Sequence, residues 1–175
     1  PRWGRTVGTF GEDAELVSTL VAAYIEGFQG DEIDSESVLC MTKHFPGGGP
    51  QKDGLDAHFS YGGEQAYPGD QFERHLRPFE AAIEAGTAQM MPYYGVPVGQ
   101  TSEDVAMGFN RDIITGLLRE RFGFDGVVCA DWQIVVPRTV GPFEILHARA
   151  FGVENLSIPE RYAKALDAGL DQFGG

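Results

Sequence analysis

Three short strand-like runs constrain the fold of this chain most. They are Val38-Leu39-Cys40-Met41-Thr42, Ala88-Gln89-Met90-Met91-Pro92 and Val127-Val128-Cys129-Ala130. The last has no polar face, which fits a parallel strand covered on both sides. Helical periodicity separates the runs. Glu12 to Phe28 places Leu16, Leu20, Val21, Tyr24, Ile25 and Phe28 at helical spacing, with Gly30 as a stop. A second helix is expected from about Gln71 to Ala85, where Pro78 predicts a kink or a delayed start. A third runs from about Asn110 to Phe122 and is stopped by Gly123. Pro159 suits the first turn of a helix through Ala168, after which Ala168 to Phe173 reads as a closing strand.

Alternation of strand, loop and helix is the βα grammar of a parallel sheet. Each strand ends in groups able to do chemistry: Lys43 and His44, then Tyr93, then Asp131 and Trp132. On neighbouring parallel strands these would converge at one mouth, which favours a β/α barrel over a doubly wound open sheet. An intact barrel takes about 250 residues, and this chain has 175. The expectation is therefore an α/β fold, a partial (β/α)8 TIM-like barrel with parallel strands. Residues 1–175 form part of a single catalytic domain, with N-terminal barrel strands and any C-terminal domain missing.

The formal net charge of −13 repels phosphates and anionic headgroups, so neither nucleic acid nor a membrane surface is an expected partner. No apolar run approaches the ~20 residues of a membrane span. No signal peptide or initiator Met is present, and the compartment stays open. Cys40 and Cys129 lie in apolar runs and read as buried free thiols.

Asp131 is the sharpest candidate site residue. A carboxylate at a strand end beside an indole suits a sugar: the acid attacks an anomeric carbon and Trp132 packs on the pyranose face. It could equally be an N-cap of a following helix. Lys43 and His44 together offer donors for vicinal hydroxyls. Both reach one ligand only if the backbone twists there, since strand neighbours point to opposite faces. Lys43 could alternatively form a Schiff base, as in an aldolase. Arg5 could donate a forked pair of hydrogen bonds or form an ion pair with Glu12 or Asp13. Tyr93 lines the pocket or packs at the rim. Gly47-Gly48-Gly49 lacks the Gly-Lys-Ser/Thr of a phosphate loop. His44 and His58 lack an evident third ligand for a metal. No metal or cofactor is expected.

Taken in order, Pro1-Arg2-Trp3-Gly4-Arg5, Gly11-Glu12-Asp13, Lys43-His44-Phe45, Met91-Pro92-Tyr93 and Gly123 to Trp132 resemble the family 3 glycoside hydrolases, the β-glucosidase and exo-glucanase family. The resemblance implies a retaining, exo-acting hydrolase of a terminal β-linked glucose-type sugar in an oligosaccharide or β-glucoside. By position, Asp131 resembles the nucleophile and Trp132 a residue shaping the sugar pocket. Arg5, Lys43, His44 and Tyr93 match positions lining the terminal-sugar subsite. The resemblance further implies a general acid from a second domain or a long loop, expected to lie outside this chain, so that the chain needs the rest of its parent; the alternative reading is a truncated, inactive fragment with at most weak sugar binding. Asp131 should be ionised, helped by Arg5 or Lys43.

Overall fold

The computed structural model describes residues 4–174. Arg2 and Trp3 of the first motif lie outside the described residues. The elements in chain order are α1 (Ala14–Gln29), β1 (Met41–Phe45), β2 (Glu64–Gln65), α2 (Phe72–Glu84), β3 (Gln89–Pro92), β4 (Val96–Pro97), α3 (Asp112–Arg121), β5 (Val127–Val128), β6 (Arg138–Val140), β7 (Phe143–Leu146) and α4 (Ile158–Ala168).

The central sheet is parallel in the order β1-β3-β5. The expected closing strand is reduced to one parallel bridge, Cys129 with Gln172, supported by the Ala130 N–H donating to the Gln172 carbonyl at 2.8 Å. Consecutive strands are thus spatial neighbours, joined through helices, as in a β/α barrel. Two smaller pairs sit in the loops: β2 with β4, parallel, and the exposed antiparallel hairpin β6-β7.

Local chemistry accounts for the helix ends. Asp13 accepts the Leu16 N–H at 2.9 Å and caps α1. Glu160 reaches back to accept the Ser157 N–H at 2.8 Å, so that α4 starts at Ile158, one residue before Pro159. Gly169, at φ 111°, ends α4. Helix α2 continues through Pro78, and α3 is wound as a π-helix. Its Ile113, Ile114 and Leu118 are fully buried against the sheet with Met90 and Val128. Each such side chain contributes about 1.5–3 kcal/mol on leaving water.

Two expectations shift. Strand β1 begins three residues later than the apolar run suggests, because Val38 and Leu39 are exposed and the Cys40 N–H is taken by the Gln29 side chain at 2.9 Å. Gln29 is buried and fully used: its Oε1 also accepts from Ala88 N–H, and its Nε2 donates to the Gly86 carbonyl. It fastens the end of α1 to the starts of β1 and β3. Helix α1 also buries less than its apolar stripe promises. Ile25 is inside, whereas Leu16, Leu20, Tyr24 and Phe28 stay exposed. The helix packs mainly on α2, which covers only part of a wide stripe. Cys40 and Cys129 are free thiols, as expected; Cys129 is buried, but Cys40 is only half-buried.

Candidate active site

The strand ends bring Asp131 to the middle of a polar and aromatic cluster. Its backbone follows β5, and the chain then turns through Gln133, at φ 59°, without starting a helix. The capping alternative is therefore overturned: the next helix is α4, far along the chain. Asp131 is 6% exposed. Its Oδ1 accepts the Trp132 N–H at 2.7 Å and the Tyr94 hydroxyl at 2.8 Å. Its Oδ2 lies 3.2 Å from His44 Nε2, a contact of ion-pair length. Among the described residues this buried oxygen accepts no aligned hydrogen bond. One carboxylate oxygen is fixed by two donors, and the other is met by the His44 contact alone among the described residues.

Burial pushes the Asp131 carboxyl up, but the His44 contact, the Trp132 N–H and the Tyr94 hydroxyl outweigh it and hold the group below the ordinary carboxylate range. Asp131 is thus ionised, as expected, though by His44 and two neutral donors rather than by Arg5 or Lys43. Burial, then Asp131 itself, push Tyr94 up, so its phenol remains a donor.

His44 reaches Asp131 from a locally irregular strand. The β1–β3 register slips between Lys43 and Phe45, and the Lys43–His44 peptide is cis. The His44 ring packs at 5.1 Å from Tyr93, and Tyr93 at 5.6 Å from Tyr94. The Trp132 indole is 62% exposed, available as a stacking surface. Lys43 is exposed and makes no hydrogen bond or ion pair with the described site residues.

Arg5 does not pair with Glu12 or Asp13. Its Nη1 lies 2.9 Å from His58 Nε2, and this reveals a second part of the cluster that the sequence reading passed over. Asp56 Oδ1 accepts from His58 Nδ1 at 2.6 Å and from the His58 backbone N–H at 2.9 Å. Arginine only donates, so Nε2 accepts and the ring proton sits on Nδ1, facing Asp56. Burial raises the Asp56 carboxyl, but His58 and then Arg5 outweigh it and hold it low. The His58 ring stands edge-on to Tyr94 at 4.9 Å, so one phenol separates it from Asp131. Gly62 lets the loop close on Asp56: a Cβ there would lie 2.1 Å from the Asp56 carbonyl oxygen.

The sequence signal for this pair was the Asp-x-His spacing, since an Asp side chain readily bonds the backbone N–H two residues on. Tyr94 was hidden in a Tyr-Tyr doublet whose members a strand pattern cannot rank. Cavities of about 400 and 360 Å³ flank the start of α2 and share no residue with this cluster. Among the described residues, no group of three or more His, Cys, Asp or Glu could hold a metal ion, and no helix is long and apolar enough to cross a membrane.

A parallel β/α sheet that gathers an ionised carboxylate, imidazoles and phenols at its strand ends has the construction of a barrel-enzyme site. The chain belongs to glycosyl hydrolase family 3: the family's "Glycosyl hydrolase family 3 N terminal domain" matches residues 1–172. It is 50% identical over 176 residues to "Beta-glucosidase C" of Emericella nidulans, covering 100% of this chain and 28% of that protein. It is 38% identical over 190 residues to the "Periplasmic beta-glucosidase/beta-xylosidase" of Dickeya chrysanthemi, covering 100% and 29%. Among solved structures, a family 3 β-N-acetylglucosaminidase from Paenibacillus sp. str. FPU-7 superposes with a TM-score of 0.77 at 27% identity, covering 99% of this chain and 29% of that one. The chain spans less than a third of the length of these relatives.

Proposed function

We propose that this chain supplies the nucleophile and part of the terminal-sugar pocket of a retaining, exo-acting β-glycosidase acting on a terminal β-linked glucose-type unit. The observation that carries this reading is the asymmetry of the Asp131 carboxylate. Oδ1 is saturated by Trp132 N–H and Tyr94, while Oδ2 is oriented, ionised and without an aligned donor. The Oδ2 atom forms the bond to the anomeric carbon as the bond to the leaving oxygen breaks, giving a glycosyl ester that water then opens. A bound sugar displaces the His44 imidazole from Oδ2 and takes its hydrogen bond through a hydroxyl. Trp132 offers its exposed face to the ring. Lys43 and Arg5 are donors for hydroxyls at the rim.

The leaving oxygen needs a proton. His58, oriented by Asp56 and one phenol away from Asp131, is the group in this chain best built to move one. Its Nε2 faces Arg5 in the absence of sugar; once a hydroxyl draws Arg5 away, Nε2 takes a proton from solvent, gives it to the leaving oxygen as that bond breaks, and recovers one from the water that opens the ester. The beta-glucosidase names of the relatives support a glucose-type substrate.

The test is stereochemical. In the full-length protein, the first sugar released from an aryl β-glucoside, followed by proton NMR within the first turnovers, is expected to be the β-anomer. Release of the α-anomer would mean direct attack by water and would remove Asp131 from the nucleophile role.

A further inference from the structure

Arg149 is a cation buried beside the site that the chemistry above leaves unused. It is 6% exposed. Its guanidinium lies over the Tyr94 ring, with Cζ 5.3 Å from the centroid. Its Nη1 donates to Gln133 Oε1 at 2.6 Å, and its backbone N–H donates to the Gln133 carbonyl at 2.9 Å. Its Nε is buried without a partner among the described residues. Burying a guanidinium is costly unless the charge is compensated, yet no carboxylate pairs with it among the described residues. Its partners are one aromatic face and one amide.

Both partners lead to Asp131. Tyr94 donates to its Oδ1. Gln133 lies two residues after it, at the left-handed position that turns the chain. We propose that Arg149 is a positioning residue for the nucleophile. Its charge over the phenol strengthens the Tyr94 hydrogen bond to Asp131, and its grip on Gln133 fixes the turn that aims the carboxylate. A cation on a ring face polarises the hydroxyl it carries, making the phenol a better donor to an anion. Arg149 also opposes the upward push that burial and Asp131 exert on Tyr94.

The charged and titratable groups around Asp131 define what else could move its titration. His44 faces it from β1, and Tyr94 from the segment after β3. Cys129 follows β5 on its own segment, where burial and then Asp131 raise its thiol. Tyr93 feels Asp131 together with Asp56 and Arg5. Arg149 is none of these, and its described contacts reach Asp131 through Tyr94 and the Gln133 turn.

The inference rests on Asp131 being the nucleophile, which covalent labelling of the unmutated protein tests separately. In the full-length protein, R149M, R149K, Y94F and the double variant Y94F/R149M are compared on an aryl β-glucoside across pH. R149M is expected to lower kcat about tenfold with KM within about twofold, a loss confined to the transition state. The acidic limb of its kcat/KM profile moves to higher pH, and R149K restores most of both. In the Y94F background, R149M adds no further loss, because the two residues act as one unit. An unmoved acidic limb, independent multiplying losses, or an R149K as impaired as Y94F would each overturn the proposal. If R149M does not fold, the R149K and Y94F profiles decide it: R149K tracking the unmutated limb supports the role, and R149K tracking Y94F ends it. A protein that is not labelled on Asp131 fails the earlier reading instead.

Discussion

Replacing Asp131 by Ala in the full-length protein is expected to lower kcat on an aryl β-glucoside by at least about 10⁴-fold, while glucose binding stays within about tenfold of normal. The asymmetry of the carboxylate dictates the size of this effect. On the proposed mechanism, removing it deletes the atom that bonds the anomeric carbon, and the other acid described in the cluster, Asp56, is committed to His58 through its Oδ1. The substitution also leaves the Tyr94 hydroxyl and the Trp132 N–H without their acceptor, at about 1–3 kcal/mol for a buried unpaired group. Asp131→Asn keeps an acceptor at Oδ1 and separates that structural cost from the chemical one. It should fold like the unmutated protein and still turn over at least about 10³-fold more slowly. Turnover within tenfold of normal in both variants would assign the nucleophile elsewhere.

The second large effect concerns His58. His58→Ala is expected to slow hydrolysis of alkyl glucosides and disaccharides by about 10²–10⁴-fold, the range for losing a positioned acid. For a dinitrophenyl glucoside, whose leaving group departs without a proton, glycosylation should slow by less than about tenfold. This divergence with leaving group distinguishes proton transfer from loop damage, which would depress both substrates alike. Asp56→Asn should behave as a milder copy, because it removes the anion that orients the ring. Equal losses on both substrates, or none on either, would return the acid to a part of the protein outside this chain, where the family resemblance had put it.

The alternation of short apolar runs with helical periodicity made the parallel βα order readable, because side-chain burial repeats along each element. The strand ends were readable for the same reason, and Asp131 and His44 do meet. What the sequence hid was set by packing across the chain. The start of β1 depends on Gln29, a buried amide that claims the Cys40 N–H before the sheet does. The choice between Tyr93 and Tyr94 depends on a strand-end twist, since both rings are buried. Arg149 sits in a stretch with no periodicity, and only the return of the chain over Tyr94 gives it meaning. Lys43 and His44 were readable as neighbours that share a ligand only if the strand end twists; that end is irregular, and it leaves an exposed amine beside an imidazole against the carboxylate.

The most direct measurement is covalent. A 2-deoxy-2-fluoro-β-glucosyl substrate with a good leaving group slows opening of the ester and lets it accumulate. Incubated with the full-length protein, digested and sequenced by mass spectrometry, it should leave its sugar on the peptide Gly126-Val127-Val128-Cys129-Ala130-Asp131-Trp132, on the Asp131 side chain. A sugar recovered on any other residue, or a protein that turns over β-glucosides yet never carries the label, would contradict the assignment on which the site is built.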